Sequence, residues 1–170
     1  MVTMMDSFNQ VAGLEILASA AIKKVTKPWG HEIWYAEGAP KFRYAFKEIF
    51  IRAPHRTSLQ FHEFKQEVNY IKEGEAILHY HPTLMDARRF RDGGYSKEEL
   101  DRIISEIRTV IIPQGSIFRV WPGMIHRVEA RDCDLTMIEA STPEVDDVYR
   151  LQDDTNREHG RIESEHHQGR

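Results

Sequence analysis

The sequence predicts an all-β protein whose short strands close into a single barrel or sandwich. Nine segments rich in β-branched and aromatic residues recur between clusters of Gly, Pro and charged residues, a pattern typical of small barrels and sandwiches. A chain of 170 residues fits one domain with one core. The predicted strands cover residues 31–36, 42–52, 59–61, 68–72, 76–81, 109–112, 117–121, 126–130 and 135–141.

Two helices are predicted beside these strands. Ser96 followed by Glu99 forms a capping box, and the apolar residues after it recur at helical spacing over about three turns. These apolar residues are Leu100, Ile103, Ile104 and Ile107. Residues 8–22 predict a second helix, which would pack on the barrel or on a partner chain.

These elements divide the chain into an extension, a barrel with an insertion, and a tail. The tail has almost no apolar residue, so it cannot offset the entropy lost on ordering and is predicted to be mobile. We expect a helical N-terminal extension over residues 1–23, a barrel over 24–157 that contains an insertion at 82–108, and a flexible tail over 158–170.

Composition and charge exclude several classes of protein. A net charge of −4 and a pI near 6.1 give no long-range attraction to nucleic acid or to an anionic membrane. The apolar stretch at residues 11–22 is too short to span a bilayer, and Glu15 interrupts it. Cys133 is the only cysteine, which excludes an intrachain disulfide and a thiolate cluster. We therefore expect a cytoplasmic protein that binds neither nucleic acid nor membrane.

Four residues form the best candidate for a metal site. Gln60 and His62 are two apart on a predicted strand, so their side chains point to the same face. A tight connection returns the chain to Glu67, and His126 follows a turn at Pro122-Gly123. Two imidazoles and two oxygen donors suit one divalent ion of Zn, Fe, Mn, Co or Ni, and the spacing does not choose among them. The four residues could equally be unrelated surface residues.

A second histidine pair competes with this candidate. His79 and His81 have the same spacing on the predicted strand 76–81. No carboxylate follows them at matching distance, so we interpret them as residues of a strand face or of a contact with the inserted helix.

Two motifs around the candidate site resemble those of the cupin superfamily. The first runs Pro54-x5-Gln60-x-His62-x4-Glu67-x6-Gly74, and the second runs Gly115-x5-Trp121-x-Gly123-x2-His126. Pro54 stands where the superfamily usually has Gly, Gln60 where many members have His, and Trp121 in the usual place of Pro. The resemblance implies a single cupin barrel, which is a double-stranded β-helix or jelly roll.

Further motifs are similar to the C-terminal cupin domain of type II mannose-6-phosphate isomerases and its stand-alone relatives. They are Lys27-Pro28-Trp29-Gly30, Ser58-Leu59-Gln60-x-His62, and Asp146-Asp147-Val148-Tyr149-Arg150 with Asp153 and Arg157. In that group the metal ligands are the residues that correspond to Gln60, His62, Glu67 and His126. Residues 63–69 depart from the usual HHRxEHW pattern and residues 82–108 are inserted, which leaves the substrate open.

The resemblance implies metal-dependent aldose–ketose isomerisation of a phosphorylated hexose, with mannose 6-phosphate and fructose 6-phosphate as the substrate class. The reaction needs a metal that polarises the open-chain sugar and a base that moves a proton between C1 and C2. Glu67, Glu139 and Lys47 are the candidate catalytic groups. Lys27 and Arg150 are the candidates for binding the sugar's phosphate.

Two other functions stay open. One is isomerisation or epimerisation of another sugar or nucleotide sugar in polysaccharide synthesis, and the other is a non-catalytic cupin that binds metal and sugar. In each case we expect a small-molecule sugar or sugar phosphate as ligand and a homodimer as the assembly.

Overall fold

The computed structural model describes residues 15–166, which form two antiparallel sheets around a common interior. No helix in this range is long and apolar enough to cross a membrane. The strands are β1 Lys23–Lys27, β2 Gly30–Glu37, β3 Ala45–Ile51, β4 Leu59–Phe61, β5 Glu67–Glu73, β6 Ala76–Tyr80, β7 Arg108–Ile112, β8 Ile117–Val120, β9 His126–Glu129, β10 Leu135–Ser141 and β11 Tyr149–Gln152. The helices are α1 Ala87–Arg91, α2 Lys97–Ser105 and α3 Glu163–His166.

The two sheets confirm the predicted all-β barrel. One sheet has the order β1-β2-β3-β10-β5-β8 and the other β11-β4-β9-β6-β7. Buried apolar side chains from both sheets meet in one cluster, which includes Ile49 of β3, Leu78 of β6, Val128 of β9 and Met137 of β10. The core therefore lies between the sheets, as expected for strands with one face turned to the interior.

The interior has an apolar half and a polar half, because the strands run in register. Ile49 pairs with Met137, and Met137 pairs with Ile71 of β5. Two residues along the same strands, Lys47 pairs with Glu139 on the inward face. Because side chains alternate with a period of two, this register stacks a polar row directly beside an apolar row.

The insertion forms two helices that cover the outer face of the second sheet. The predicted cap of α2 is confirmed, because Ser96 Oγ accepts a hydrogen bond from the Glu99 amide at 3.2 Å. The first helix, α1, was not predicted, because five residues with three arginines carry no apolar period. Leu59 and Phe61 of β4 are buried in the apolar cluster under these helices. The residues between and after them, Gln60 and His62, are therefore turned to the interior.

The N-terminal helix predicted for residues 8–22 differs from the structure. Residues 8–14 lie outside the described range, and residues 15–22 contain only a 3-10 turn at Ser19–Ala21. No residue of this turn is buried and its cap has no side-chain hydrogen bond, so neither packing nor capping supports a longer helix. Strand β1 then begins at Lys23, where the polar sequence KKVTK predicts no strand.

The C-terminal segment, residues 157–166, lies against the barrel, which differs from the mobile tail predicted from residue 158 onward. Lys27 Nζ of β1 is 2.8 Å from Glu165 Oε2 of α3, and the Gly160 amide donates to the Val148 carbonyl at 2.8 Å. Ion pairs and hydrogen bonds hold this segment in place, and such contacts leave no hydrophobic pattern in the sequence. Residues 167–170 lie outside the described range.

Candidate metal centre

Three buried side chains converge inside the barrel and could hold a metal ion. His62 follows β4, Glu67 begins β5 and His126 begins β9. One ligand atom from each lies within 4.8 Å of the others. Nε2 of His62 is 3.2 Å from Oε1 of Glu67, and Nε2 of His126 is 4.0 Å from Oε2 of Glu67. The fold therefore brings three of the four predicted ligands together.

Backbone carbonyls orient both imidazoles toward the centre. His62 Nδ1 donates to the Asp147 carbonyl, and His126 Nδ1 donates to the Met124 carbonyl at 3.0 Å. A carbonyl only accepts hydrogen bonds, so Nδ1 carries the proton and Nε2 presents a lone pair in each ring. His62 Nε2 is buried without a hydrogen-bond partner although it faces the Glu67 carboxylate. Two acceptor atoms that face each other in a buried site are stabilised by a cation between them.

Asp147 positions the loop that joins His62 to Glu67. Besides its carbonyl contact with His62, its carboxylate accepts hydrogen bonds from the amides of Glu63, Phe64 and Lys65 at 3.0, 2.6 and 2.9 Å. One residue thus fixes the ring of the first ligand and the backbone that leads to the second.

Gln60 lies at the edge of the same group. It pairs with His126 across β4 and β9, and both residues line the same cavity. Its Oε1 accepts a hydrogen bond from Ser58 Oγ at 2.5 Å. The predicted fourth ligand is therefore next to the other three, with its carboxamide turned to Ser58.

The charges at the centre favour the forms that bind metal. Burial alone would raise the pKa of Glu67, but the charge of the adjacent Lys65 ammonium holds that pKa well below its ordinary value. Burial lowers the pKa of His126 to about 4. Metal binding requires an ionised carboxylate and neutral imidazoles, and the shifts of Glu67 and His126 favour these forms. The donor set and its protonation therefore fit a divalent ion.

Lys65 also belongs to the site, although it is not among the residues predicted from the sequence. Its Nζ donates to Glu67 Oε1 at 2.5 Å and to Glu139 Oε1 at 2.8 Å. Burial would lower the pKa of Lys65, but the two carboxylates raise it above its ordinary value. The usual pattern of a strand is reversed here, because polar Lys65, Glu67 and Asn69 are buried whereas apolar Val68 and Tyr70 are exposed. This alternation in the sequence is the signal that could have indicated Lys65.

A cavity of about 100 Å³ opens beside the three ligands. Six buried side-chain polar atoms in residues 15–166 lack a hydrogen-bond partner, and five of them belong to residues that line this cavity. Buried polar groups are usually satisfied, so a cluster of unsatisfied ones marks the place of a polar ligand or of ordered water. The five belong to Trp29, His62, Asn69, Arg150 and His166.

The predicted catalytic groups Glu139 and Lys47 also line this cavity. Lys47 Nζ is 3.7 Å from Glu139 Oε1, 4.0 Å from Glu32 Oε2, and 4.1 Å from the centre of the Trp34 ring. The Lys47 ammonium is therefore near carboxylates without a direct hydrogen bond to either, and it is available to a ligand in the cavity.

The two predicted phosphate-binding residues differ in their surroundings. Both line the cavity. The Lys27 ammonium is neutralised by Glu165 at 2.8 Å. Arg150 donates from Nη1 to the carbonyls of Gly160, at 2.9 Å, and Glu158, and its Nε has no partner. Burial, aided by the positive charge of Arg157, lowers the pKa of Arg150, although Asp153, Glu165 and Glu32 oppose the shift.

The rival histidine pair does not line the cavity. His79 Nε2 is 2.6 Å from Glu129 Oε2, and His81 Nε2 is 3.4 Å from Glu106 Oε2 in the insertion. Each histidine of the pair thus has its own carboxylate partner outside the cavity.

No family model and no curated protein matches the sequence. Solved structures do resemble the fold. The capsular polysaccharide assembling protein CapF of Staphylococcus aureus superposes with a TM-score of 0.57 at 14% identity, over 78% of this chain and 33% of that one. L-ribose isomerase of Cellulomonas parahominis superposes with a TM-score of 0.57 at 12% identity, over 74% of this chain and 70% of that one.

A third similar structure is oxalate decarboxylase of Bacillus subtilis, which has Mn(II) centres. Its TM-score is 0.53 at 15% identity, over 76% of this chain and 30% of that one. This chain therefore spans about a third of CapF and of the decarboxylase, and most of the isomerase. Two antiparallel sheets around a His/Glu centre and the likeness to these three structures show that the protein has the cupin fold.

Proposed function

We propose that the protein is a metal-dependent isomerase that interconverts the aldose and ketose forms of a sugar. The observation that carries this proposal is the Lys65 ammonium, which bridges the candidate ligand Glu67 and the second carboxylate Glu139 inside one cavity. A second carboxylate, suited to proton transfer, thus lies beside the candidate metal centre. The likeness to L-ribose isomerase supports the proposal, because that fold accommodates the same class of reaction.

His62, Glu67 and His126 would hold the metal, with Gln60 as fourth ligand once its carboxamide turns away from Ser58. The mixed set of nitrogen and oxygen donors suits Zn, Fe, Mn, Co or Ni. A divalent ion bound there would polarise the carbonyl and the adjacent hydroxyl group of an open-chain sugar.

Glu139 and Lys65 would move the protons. The Glu139 carboxylate takes the proton from C2, and the electron pair of the C2–H bond forms a double bond between C1 and C2 as Lys65 donates a proton to O1. Lys65 then takes the proton of O2, and Glu139 returns its proton to C1. The net result moves one hydrogen from C2 to C1 and one from O2 to O1, so no oxidant or reductant is needed.

For the substrate we propose a phosphorylated hexose, with mannose 6-phosphate and fructose 6-phosphate as the pair. The motifs at residues 27–30, 58–62 and 146–150 support this choice, because they resemble those of mannose-6-phosphate isomerases. Arg150 is the better candidate for the phosphate, since it lines the cavity and takes part in no ion pair among residues 15–166. Lys27 is already neutralised by Glu165.

The test is proton exchange in deuterated water, followed by NMR. Protein loaded with each of the candidate metals is incubated with the two hexose phosphates and with unphosphorylated pentoses and hexoses. We expect deuterium at C1 of the ketose and at C2 of the aldose for at least one pair. Interconversion without exchange would refute proton transfer by Glu139, and absence of both interconversion and exchange with every sugar and every metal would refute an isomerase.

A variant and its control locate the base. Glu139→Gln is expected to lower turnover by about 100-fold or more, because it removes a general base, while the metal content stays unchanged. Glu48→Gln is the matched control, since Glu48 lies on the same sheet but pairs with Lys72 on the outer face. Equal activity of the two variants would show that Glu139 is not the base.

A further inference from the structure

A row of buried, alternating charges crosses the cavity from the candidate metal centre to the C-terminal helix α3. We call it the charge row, and its members in order are Lys65, Glu139, Lys47, Glu32, Lys27 and Glu165. Its first member contacts the candidate ligand Glu67 at 2.5 Å. The row therefore runs from the reacting end of the cavity to the C-terminal segment.

The links at the two ends of the charge row are short, whereas those in the middle are long. Lys65 to Glu139 and Lys27 to Glu165 both measure 2.8 Å. The three middle links measure 3.7, 4.0 and 3.8 Å, which is beyond hydrogen-bond distance. Buried charges are stable only when their hydrogen-bonding capacity is used. Glu32 Oε2 accepts a hydrogen bond from Trp34 Nε1 at 2.8 Å, but no hydrogen bond joins Lys47 to its neighbours in the charge row. The middle of the row thus keeps unused capacity that faces the cavity, and hydroxyl groups, which donate and accept, are suited to fill it.

The far wall of the cavity presents unpartnered polar atoms of its own. His166 of α3 lies edge-on against Trp34, with ring centres 5.5 Å apart, and its Nδ1 is buried without a hydrogen-bond partner among residues 15–166. The indole Nε1 of Trp29 is also buried without a partner, and all three residues line the cavity. A group that donates and accepts hydrogen bonds is therefore expected at the end of the cavity farthest along the charge row.

The size of the cavity agrees with a short polyhydroxy chain. A cavity needs about 10–15 Å³ to hold one water-sized group, and this cavity has about 100 Å³. Its capacity is thus comparable with the skeleton of an open-chain sugar.

We propose that the C-terminal segment, residues 157–166, is the specificity-determining wall of the sugar site, and that His166 binds the free hydroxyl group nearest the sugar's distal, phosphorylated end. The inference rests on the proposed sugar substrate. The charge row then binds the hydroxyl groups between the reacting end and α3, and the position of α3 sets the chain length that the site accepts.

The experiment uses alditols, which have the hydroxyl pattern of sugars but cannot isomerise. Calorimetry on the metal-loaded protein measures the dissociation constants of glycerol, erythritol, xylitol and mannitol. We expect affinity to rise with chain length up to the length that reaches His166. His166→Leu should weaken binding of the longest well-bound alditol by about tenfold, the loss of one hydrogen bond, and should leave glycerol unchanged.

Two further variants separate a contact from a folding defect. His166→Asn keeps a polar atom near the place of Nδ1 and should retain most of the affinity, and Ser164→Ala on the exposed side of α3 is the control. A uniform loss for all alditols, an unchanged affinity in His166→Leu, or no alditol binding at all would overturn the inference. Alditol binding without isomerisation of any sugar would instead refute the proposed function and leave the sugar site supported.

Discussion

The ammonium of Lys65 lies 2.8 Å from Oε1 of Glu139, and the two side chains are only 4% and 6% exposed. They belong to the loop before β5 and to its neighbour β10, so the contact crosses the polar half of the barrel interior. Removing one partner of a buried ion pair leaves an uncompensated charge, which is costly. The pair is therefore both part of the proposed chemistry and part of what holds the site together.

The first prediction follows from this pair. Lys65→Met or Glu139→Leu alone should destabilise the protein by up to about 3–5 kcal/mol, because each takes a close partner of opposite sign away from a buried charge. The double variant should be less destabilised than the sum of the two, since it removes one charge of each sign. Urea denaturation of the unmodified protein, the two single variants and the double variant gives the coupling free energy of the pair. Strictly additive losses of unfolding free energy would show that the two groups do not interact.

Asp147 provides the second prediction. Asp147→Ala removes the carboxylate that accepts hydrogen bonds from three successive backbone amides, those of Glu63 to Lys65. Loss of a residue that orients a metal ligand typically costs about 10–100-fold in affinity, and we expect a loss of this size in a metal titration. Asp132→Ala, in an exposed loop, is the control. Unchanged affinity in Asp147→Ala would contradict the role given to this residue.

His166 provides a prediction of pH dependence. Burial, aided by Lys27 and Arg161, lowers the pKa of His166 to about 4, although Glu32 opposes the shift. The unfolded chain takes up this proton near pH 6.5, whereas the folded chain does so only near pH 4. The stability linked to His166 is therefore present above pH 6.5 and is lost as the pH falls to about 4.

NMR titration of the imidazole measures this pKa directly, and the spectrum of His166→Asn assigns the signal. A midpoint near 4 is expected, with the Trp34 ring signals shifting in parallel because the two rings are in contact. A midpoint near the ordinary value of 6.5 would show that α3 does not pack on the barrel in solution.

The sequence predicted the parts of the fold that leave a periodic or spaced pattern. Alternation of apolar and polar residues located most strands, and the capping box located α2. Local geometry determines these strands and this cap, so a single chain is enough to read them. The spacing around two turns made His62, Glu67 and His126 plausible ligands, and the resemblance of their motifs to those of the cupin superfamily supported the set. The structure brings one ligand atom from each to within 4.8 Å of the others.

The missed features depend on partners that are distant in the chain. Lys65 was overlooked because a lysine is usually solvated, and only the fold brings Glu139 to it. The tail is expected to be mobile because it has almost no apolar residue, whereas the ion pair that holds it, Lys27 with Glu165, joins residues 138 positions apart. The strand β1 and the short helix α1 are likewise stabilised by neighbours rather than by their own sequence, so no local pattern could predict them.

The central claim is that one divalent metal ion is held by the residues around His62 and His126. Elemental analysis of the purified protein and of the His62→Ala/His126→Ala variant tests it most directly, with circular dichroism to verify that the variant is folded. We expect about one divalent ion per chain in the unmodified protein and a loss of most of it in the variant, since two imidazole ligands are gone. Full retention of the metal in the folded double variant would contradict it.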